Sequence, residues 1–375
     1  MAPKKMKIES VDRMIKSAGR VRIQDVAAAA GVGTSSVSNF LNDRMQRLSP
    51  ETRQRIAEAI KALDFRPNQA ARQLKTGKKN VIAVVAPSIV NPFMGEMVFA
   101  IEQAAFSAGY GVYLCNSMRD ARLEKRFLDN LAGSGVNDLI TVAPLLTRRG
   151  PYHVGNDDLS IVAIDANRAD MGLTKVDTIN VDHESAIALA VEHLYELGHR
   201  HIVYVTDPVI TFSRAMRLSG YRKAMKSRDL SDDSIIAVER TTDVADVYMV
   251  EIGREAALKV AASNPRPTAV VAFNDMIALG LLAGLRTAGI SVPADISIVG
   301  VDDIWAGQLF SPALTSVRQP TQSMASAAVD RIVSPGKARV GAGSDTTFQP
   351  ALIKRDTTAS PPTTVNRRVK KASAK

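Results

Sequence analysis

A single cysteine, Cys115, and a single tryptophan, Trp305, stand in a chain of 375 residues. One thiol excludes an intrachain disulfide and a thiolate metal cluster. Its place in the alternating run "YGVYLCN" suits a small core residue better than a nucleophile. No stretch approaches the eighteen or so apolar residues of a membrane span, and Met1-Ala2-Pro3-Lys4-Lys5 is followed by no apolar run of signal-peptide type. A soluble, cytoplasmic protein with no membrane partner is therefore expected. The five histidines show neither H-E-x-x-H nor paired ligand spacing. "GVGTSS" and "GAGSD" lack the lysine of a phosphate loop, and no serine lies in a G-x-S-x-G elbow. Metal, cofactor and hydrolase chemistry have no basis in these residues, so the expectation is neither an enzyme nor a cofactor protein.

What is present begins with apolar content of 46%, enough for real cores, over a length that implies two or three domains. The charge is unevenly placed. The first 80 residues carry 17 Lys and Arg against 7 Asp and Glu, which accounts for the whole net charge of +10. The tail from Lys354 has 7 against 1, leaving residues 81–353 with 24 against 30. A basic head on an acidic body points to a polyanion bound by the head alone, or to a solvated basic surface.

The stretch "RIQDVAAAAGVGTSSVSNFLND", residues 22–43, separates these readings. Ile23, Val26, Ala27 and Ala30 recur at helical spacing, and Gly31 stands where a helix ends. Val37, Phe40 and Leu41 give a second helix its buried side, opposite Thr34, Ser35, Ser36, Ser38 and Asn39. Two short helices joined by a Gly-containing turn form a helix-turn-helix, whose second helix enters the major groove. Hydroxyls bond phosphates or bases, and an amide such as Asn39 pairs bidentately with adenine. The same residues also cap and solvate ordinary surface helices. In "LSPETRQRIAEAIKALDF", Ser49 caps and Pro50 opens a third helix that buries Ile56, Ala59, Ile60 and Leu63. Then "RPNQAARQLKTGKKN" reads as a short helix, Asn68 to Leu74, followed by a basic linker.

This order of segments resembles the lactose- and purine-repressor family of bacterial ligand-responsive transcription regulators. "DVAAAAGVGTSSVSNFLN" is similar to the family's D-V-A-x-x-A-G-V-S-x-x-T-V-S-x-x-L-N, and "FRPNQAARQL" to its Y-x-P-N-x-x-A-R-x-L hinge. The resemblance implies that Thr34, Ser35 and Asn39 read bases while Ser36 and Ser38 lie nearer phosphates. It places Leu74 as a minor-groove wedge with Ala71 beside it, and Arg72 and Lys75 can neutralise phosphate around them. Gly33 replaces the usual serine cap, which Gly tolerates. Asn39 stands where Arg or His is frequent, so the operator of better-known relatives does not transfer.

From Asn80 the text alternates strand and helix. "VIAVVAP", "NPFMGEMVFAIEQAAFSAG", "YGVYLCN", "RLEKRFLDNLAGSG" and "NDLITVAP" open the rhythm, which runs on to "ISIVGVDD". It predicts two doubly wound parallel-sheet halves. Ligands in such sheets lie beyond the carboxyl ends of strands. Ser88 and Asn91, Asp165, Asn274 and Asp275, and Asp302 and Asp303 occupy those positions. "AFNDMIALG", "VGVDDIWAG", "MRLSGYRKAM" and "ELGHRHIVYV" resemble family motifs of a periplasmic sugar-binding-protein-like core. The implied ligand contacts are Arg217, Asn274 and Asp302 from the C-terminal half, with Asp165, Asn91 and Phe93. A guanidinium facing a carboxylate suits vicinal hydroxyls of a sugar or sugar derivative. A nucleobase stays open, because purine-responsive members share the fold. Asp275 reads as the cap of a helix starting at Met276, Asp303 likewise as a cap, and Trp305 as a cleft border or a core residue.

The expected organisation is an N-terminal extension (1–21), a helix-turn-helix domain (22–66), a hinge helix and linker (67–80) and an α/β core (81–358). Within the core, 81–180 with 318–335 form one half, and 181–317 with 336–358 the other. The tail 359–375 is basic, without apolar periodicity, and expected to be disordered. It lacks leucine heptads, so a homodimer on a near-palindromic double-stranded operator is the default.

Overall fold

A computed structural model describes residues 21–41, 44–65, 80–145, 159–171, 176–208, 211–239, 248–334 and 343–362. The chain divides into two compact units between Lys79 and Asn80. The expected hinge, with Ala71, Arg72, Leu74 and Lys75, lies outside the described residues, as does most of the N-terminal extension.

The first unit holds α1 (Ile23–Ala30), α2 (Thr34–Leu41), a 3₁₀ turn (Met45–Arg47) and α3 (Pro50–Ala62). α1 stops at Gly31, whose φ of 62° is left-handed and whose N–H caps the carbonyls of Ala27 and Ala28. Ser49 accepts the Thr52 N–H at 3.2 Å to start α3. From α3, Arg53 donates to the carbonyls of Leu48 (3.1 Å) and Met45 (2.6 Å), pinning the turn that returns the chain from α2. Val26, Ala27, Ala30, Val37, Leu48, Ile56, Ala59 and Phe65 form the core. Its alanines allow short helices to cross closely enough to exclude water.

The second unit contains two six-stranded sheets. The first has the order β11-β5-β4-β3-β1-β2 and is parallel throughout. Its strands are β1 (Val81–Ala86), β2 (Gly111–Asn116), β3 (Asp138–Val142), β4 (Ser160–Ile164), β5 (Val176–Val181) and β11 (Asp345–Phe348). Helices α4 (Pro92–Ser107), α5 (Ala121–Ser134) and the short α6 (Arg168–Met171) belong to this half. The second sheet has the order β12-β10-β9-β8-β6-β7, antiparallel only where β12 meets β10. It comprises β6 (Ile202–Thr206), β7 (Ile235–Ala237), β8 (Ala269–Ala272), β9 (Ser297–Asp302), β10 (Thr315–Arg318) and β12 (Ala351–Ile353). Helices α7 (His183–Glu196), α8 (Phe212–Ser227), α9 (Met249–Ala262) and α10 (Asp275–Thr287) accompany it, while α11 (Thr321–Val333) returns to pack on β3, β4 and β5.

The expected division between the halves is corrected at two places. β11 pairs with β5 in the first sheet rather than joining the second. Polar bonds hold it there: Thr178 donates to Asp345 at 2.6 Å and the Ser344 N–H to Asp177 at 2.7 Å. The chain therefore crosses between sheets three times, after β5, after β10 and after β11. The tail boundary expected at residue 359 is also corrected, because residues 359–362 are among the described ones. Ala359 is bound to the second half through its carbonyl, 2.8 Å from His199 Nε2, and its N–H, 3.1 Å from Ser297 Oγ. Residues 363–375 lie outside the described ones.

Motif residues acquire physical reasons in this packing. A Cβ at Gly280, the glycine of "NDMIALG", would lie 2.0 Å from the Val250 carbonyl oxygen, so glycine is what lets α9 and α10 touch. Cys115 is buried, which pushes its thiol up to about 11 and leaves it protonated. Among the described residues no helix is long and apolar enough to cross a membrane.

Candidate DNA-binding and effector sites

In the first unit, α2 presents Thr34 and Ser35 exposed, with Ser36, Ser38 and Asn39 half-buried beside them. Val37 points into the core and is fully buried. The helix therefore has a polar side rich in short hydrogen-bonding groups. Gly33 supplies its first acceptor, taking the N–H of Ser36 at 3.0 Å and of Val37 at 3.3 Å. The N–H groups of Thr34 and Ser35 precede that acceptor, and such helix starts suit phosphate oxygens.

In the second unit, a cleft lies where the carboxyl ends of the two sheets face each other. Asn91, Phe93, Asp165, Arg217, Asn274 and Asp302 all line it, six residues from five separate segments. The first half contributes mainly apolar lining, Phe93, Met94, Met97, Val142 and Ile164, beside the polar Asn91, Arg119 and Asp165. The second contributes mainly polar lining, Thr211, Ser213, Arg214, Arg217, Asn274 and Asp302, beside Met249 and Phe273. Four lining residues at strand ends have left-handed backbones, Arg119 (φ 55°), Ala143 (43°), Asp165 (57°) and Asp302 (118°). Each costs about 1 to 3 kcal/mol and persists only where surrounding structure over-determines it, as at ligand sites.

Arg217 is at the centre. Its Nη1 donates to the Phe273 carbonyl at 2.6 Å, its Nη2 approaches Asp302 at 3.4 Å and its Nε approaches His183 Nδ1 at 3.4 Å. Asp302 also accepts from Gln319 at 2.7 Å. Burial raises the Asp302 carboxyl to about 6, against the opposing pull of Arg217 and Gln319. Asp165 behaves oppositely. Burial disfavours its charge, yet His183, 2.8 Å away, together with Arg217 and Ser213, holds it below the ordinary carboxylate range. Asn91, which lines the cleft, also caps α4 by accepting the Phe93 N–H at 3.0 Å.

Roles expected around the second half change in three respects. Asn274, not Asp275, caps the helix, accepting the Ile277 N–H at 3.0 Å, and α10 starts at Asp275. Asp275 instead accepts from Ser316 (2.6 Å) and the Ile304 N–H (2.8 Å), where burial and then Asp302 push its pKa well up. Asp303 caps nothing and pairs with Arg318 at 2.7 Å and with Arg355, tying β9 to β10 and the C-terminal segment. Trp305 is neither core nor cleft: it is 64% exposed, on a separate groove with Phe99 and Arg318.

The sequence profile "Bacterial regulatory proteins, lacI family" matches residues 22–68, and that of a "Periplasmic binding protein-like domain" matches residues 191–358. Over 321 residues the chain is 33% identical to the HTH-type transcriptional repressor PurR of Proteus mirabilis (strain HI4320), covering 83% of this chain and 90% of that one. The chain belongs to the lacI family of bacterial regulatory proteins. It is thus a DNA-binding transcriptional regulator with an effector-binding core. This lacI-family fold matches the crystal structure of the lac repressor dimer bound to operator and the anti-inducer ONPF. That match has a TM-score of 0.78 at 26% identity over 91% of this chain and 100% of the other. It also matches the transcriptional regulator CelR in complex with cellobiose, with a TM-score of 0.63 at 26% identity over 90% and 100%.

Several lining residues of this lacI-family member were not singled out from its sequence: His183, Ser213, Arg214, Gln319 and the methionines 94, 97, 249 and 324. Arg214 forms a buried ion pair with Asp207, and its guanidinium lies 4.4 Å from the Phe273 ring centroid. The signal for two of them existed. His183 follows β5 and Gln319 follows β10, at the strand-end positions where ligand residues are sought. Neither strand carries the continuous apolar run that marks its neighbours in the sequence.

Proposed function

We propose that this regulator is a homodimeric repressor whose affinity for a near-palindromic operator is set by a sugar or sugar derivative in the cleft. The observation carrying this reading is the pairing of polar and apolar lining in one cavity. Arg217 and Asp302 stand side by side as paired donors and acceptors, and Phe93 with other apolar residues of the first half lines the same cavity. A sugar ring offers the matching surfaces, vicinal hydroxyls along an edge and C–H groups on a face. CelR binds cellobiose with the same architecture. Thr34, Ser35 and Asn39 read bases, Ser36, Ser38, Arg72 and Lys75 contact phosphate, and Leu74 with Ala71 wedges the minor groove. The ligand acts by changing the hinge separation, a coupling of about 1 to 3 kcal/mol in ordinary allostery. Such a protein works in the cytoplasm, beside the chromosome, and carries out no catalysis.

The test is to capture fragments of the source genome on the purified protein at moderate salt, and to screen monosaccharides, disaccharides and purine bases by thermal shift. Near-palindromes plus a stabilising sugar are expected. A purine that stabilises where no sugar does would replace the ligand class, and fragments held without sequence preference would overturn base reading.

A further inference from the structure

Five side chains form an unbroken line across the floor of the cleft. Asp165, at the end of β4, bonds His183 Nε2 at 2.8 Å; His183 Nδ1 meets Arg217 Nε at 3.4 Å; Arg217 Nη2 meets Asp302 at 3.4 Å; Asp302 accepts from Gln319 at 2.7 Å. The placement of the ends matters. His183 is the first residue of α7, where the chain leaves the first sheet for the second. Gln319 directly precedes the return crossover from β10 to α11. The line therefore runs from one crossover to another. Asp165 belongs to the first half and His183 to the second, so its first bond spans the halves.

The bonds are unequal. The outer two are short, 2.8 and 2.7 Å, whereas the inner two, both made by Arg217, are 3.4 Å and weak. Arg217's short bond goes elsewhere, to the Phe273 carbonyl. The donor geometry also fixes a tautomer. Because Arg217 can only donate, Nδ1 of His183 accepts, and Nε2 carries the proton given to Asp165. A ligand hydroxyl pair that engages Arg217 and Asp302 thus competes with the two weakest links and leaves the strong ends intact.

From this geometry we infer that His183 and Gln319 are positioning residues that couple the two crossovers through Arg217 and Asp302, and that occupation of the cleft severs the coupling at Arg217. The inference rests on the effector cleft proposed above but not on the ligand being a sugar. His183 sets the direction of the guanidinium, and Gln319 sets that of the carboxylate. Neither need touch the ligand.

Hydrogen exchange in the ligand-free, full-length protein tests this, since exchange reports local opening segment by segment. Peptides covering residues 182–187 and 319–325 are followed in wild type, Gln319→Met, His183→Leu, His183→Gln and Arg217→Met. Gln319→Met is expected to speed exchange in 182–187, and His183→Leu in 319–325, by about twofold or more, the lower range for coupled residues in one network. Arg217→Met should affect both segments, and His183→Gln, which can still accept and donate, should restore much of the remote protection. Faster exchange confined to the segment carrying each substitution would overturn the relay. Remote coupling alongside failure of every sugar in the thermal screen would leave the relay standing and change only the occupant. A sugar that binds while the coupling is absent would do the reverse.

Discussion

The carbonyl oxygen of Phe273 holds the guanidinium of Arg217 at 2.6 Å, and the same guanidinium lies 4.7 Å from the centroid of the Phe273 ring. Backbone and ring of one residue thus fix the orientation of a guanidinium that lines the cleft. A lysine keeps the charge but has no planar fork. Arg217→Lys is expected to weaken binding of the stabilising sugar by about tenfold or more, the value of one lost charge-assisted bond, while the fold persists. Isothermal titration checks it, and wild-type affinity would remove paired recognition by Arg217.

Asp302 gives a pH dependence with a definite sign. Burial, with Asp165 adding to it, raises its carboxyl to about 6. Two ligand hydroxyls require the ionised form as acceptor, so affinity should fall as pH drops below about 6, by up to about tenfold per unit. Stability runs the other way. The native state holds this proton more tightly than the unfolded chain, so the contribution is present below the ordinary carboxylate pKa and is lost as pH rises through about 6. Asp302→Asn is therefore expected to abolish this pH dependence of stability, read by urea unfolding across about pH 5 to 8, and to lose the effector response while retaining ligand-free operator binding. A variant that still responds would exclude Asp302 from the site.

The Asp207–Arg214 pair is buried on both sides, with side chains 0% and 7% exposed. Removing one partner leaves a desolvated charge, so Asp207→Ala should cost about 3 to 5 kcal/mol. Asp207→Leu combined with Arg214→Met should restore most of that, because a buried ion pair and apolar packing of similar volume differ little. Equilibrium unfolding of the three proteins decides between an ion pair that stabilises and one retained for the cleft.

Legibility from sequence followed the apolar period. β1, β3, β4, β6, β8 and β9 are near-continuous apolar runs buried on both faces, and each was readable as a strand. β5, "VDTINV", and β10, "TSVR", were not, because buried polar residues interrupt them. Asp177 bonds Ser344, Thr178 bonds Asp345, and Ser316 bonds Asp275, so these side chains are satisfied by partners far away in sequence. No local pattern announces such partners. With β5 and β10 unseen, the strand-end rule could not reach His183 or Gln319, whereas it found Asp165 and Asp302 behind legible strands. The cap falls on Asn274 rather than Asp275 because one residue of helix start decides which of them caps, and helix starts are poorly determined by local sequence.

In the first unit, Asn39 and Gly33 separate base reading from helix stability. Gly33 precedes α2, and a Cβ there would meet only Ser35 Oγ, at 3.5 Å, an ordinary contact. Gly33→Ser should therefore add a cap and stabilise the unit by a few tenths of a kcal/mol, leaving sequence preference unchanged. Asn39→Ala should do the opposite. Asn39 lies on the polar side of α2, and loss of its amide should cost about 1 to 3 kcal/mol at one base pair in each half-site, with other positions unaltered. Binding measured against a set of single-base operator variants distinguishes the two effects. Equal weakening on every variant would mean that Asn39 supports the helix and reads no base.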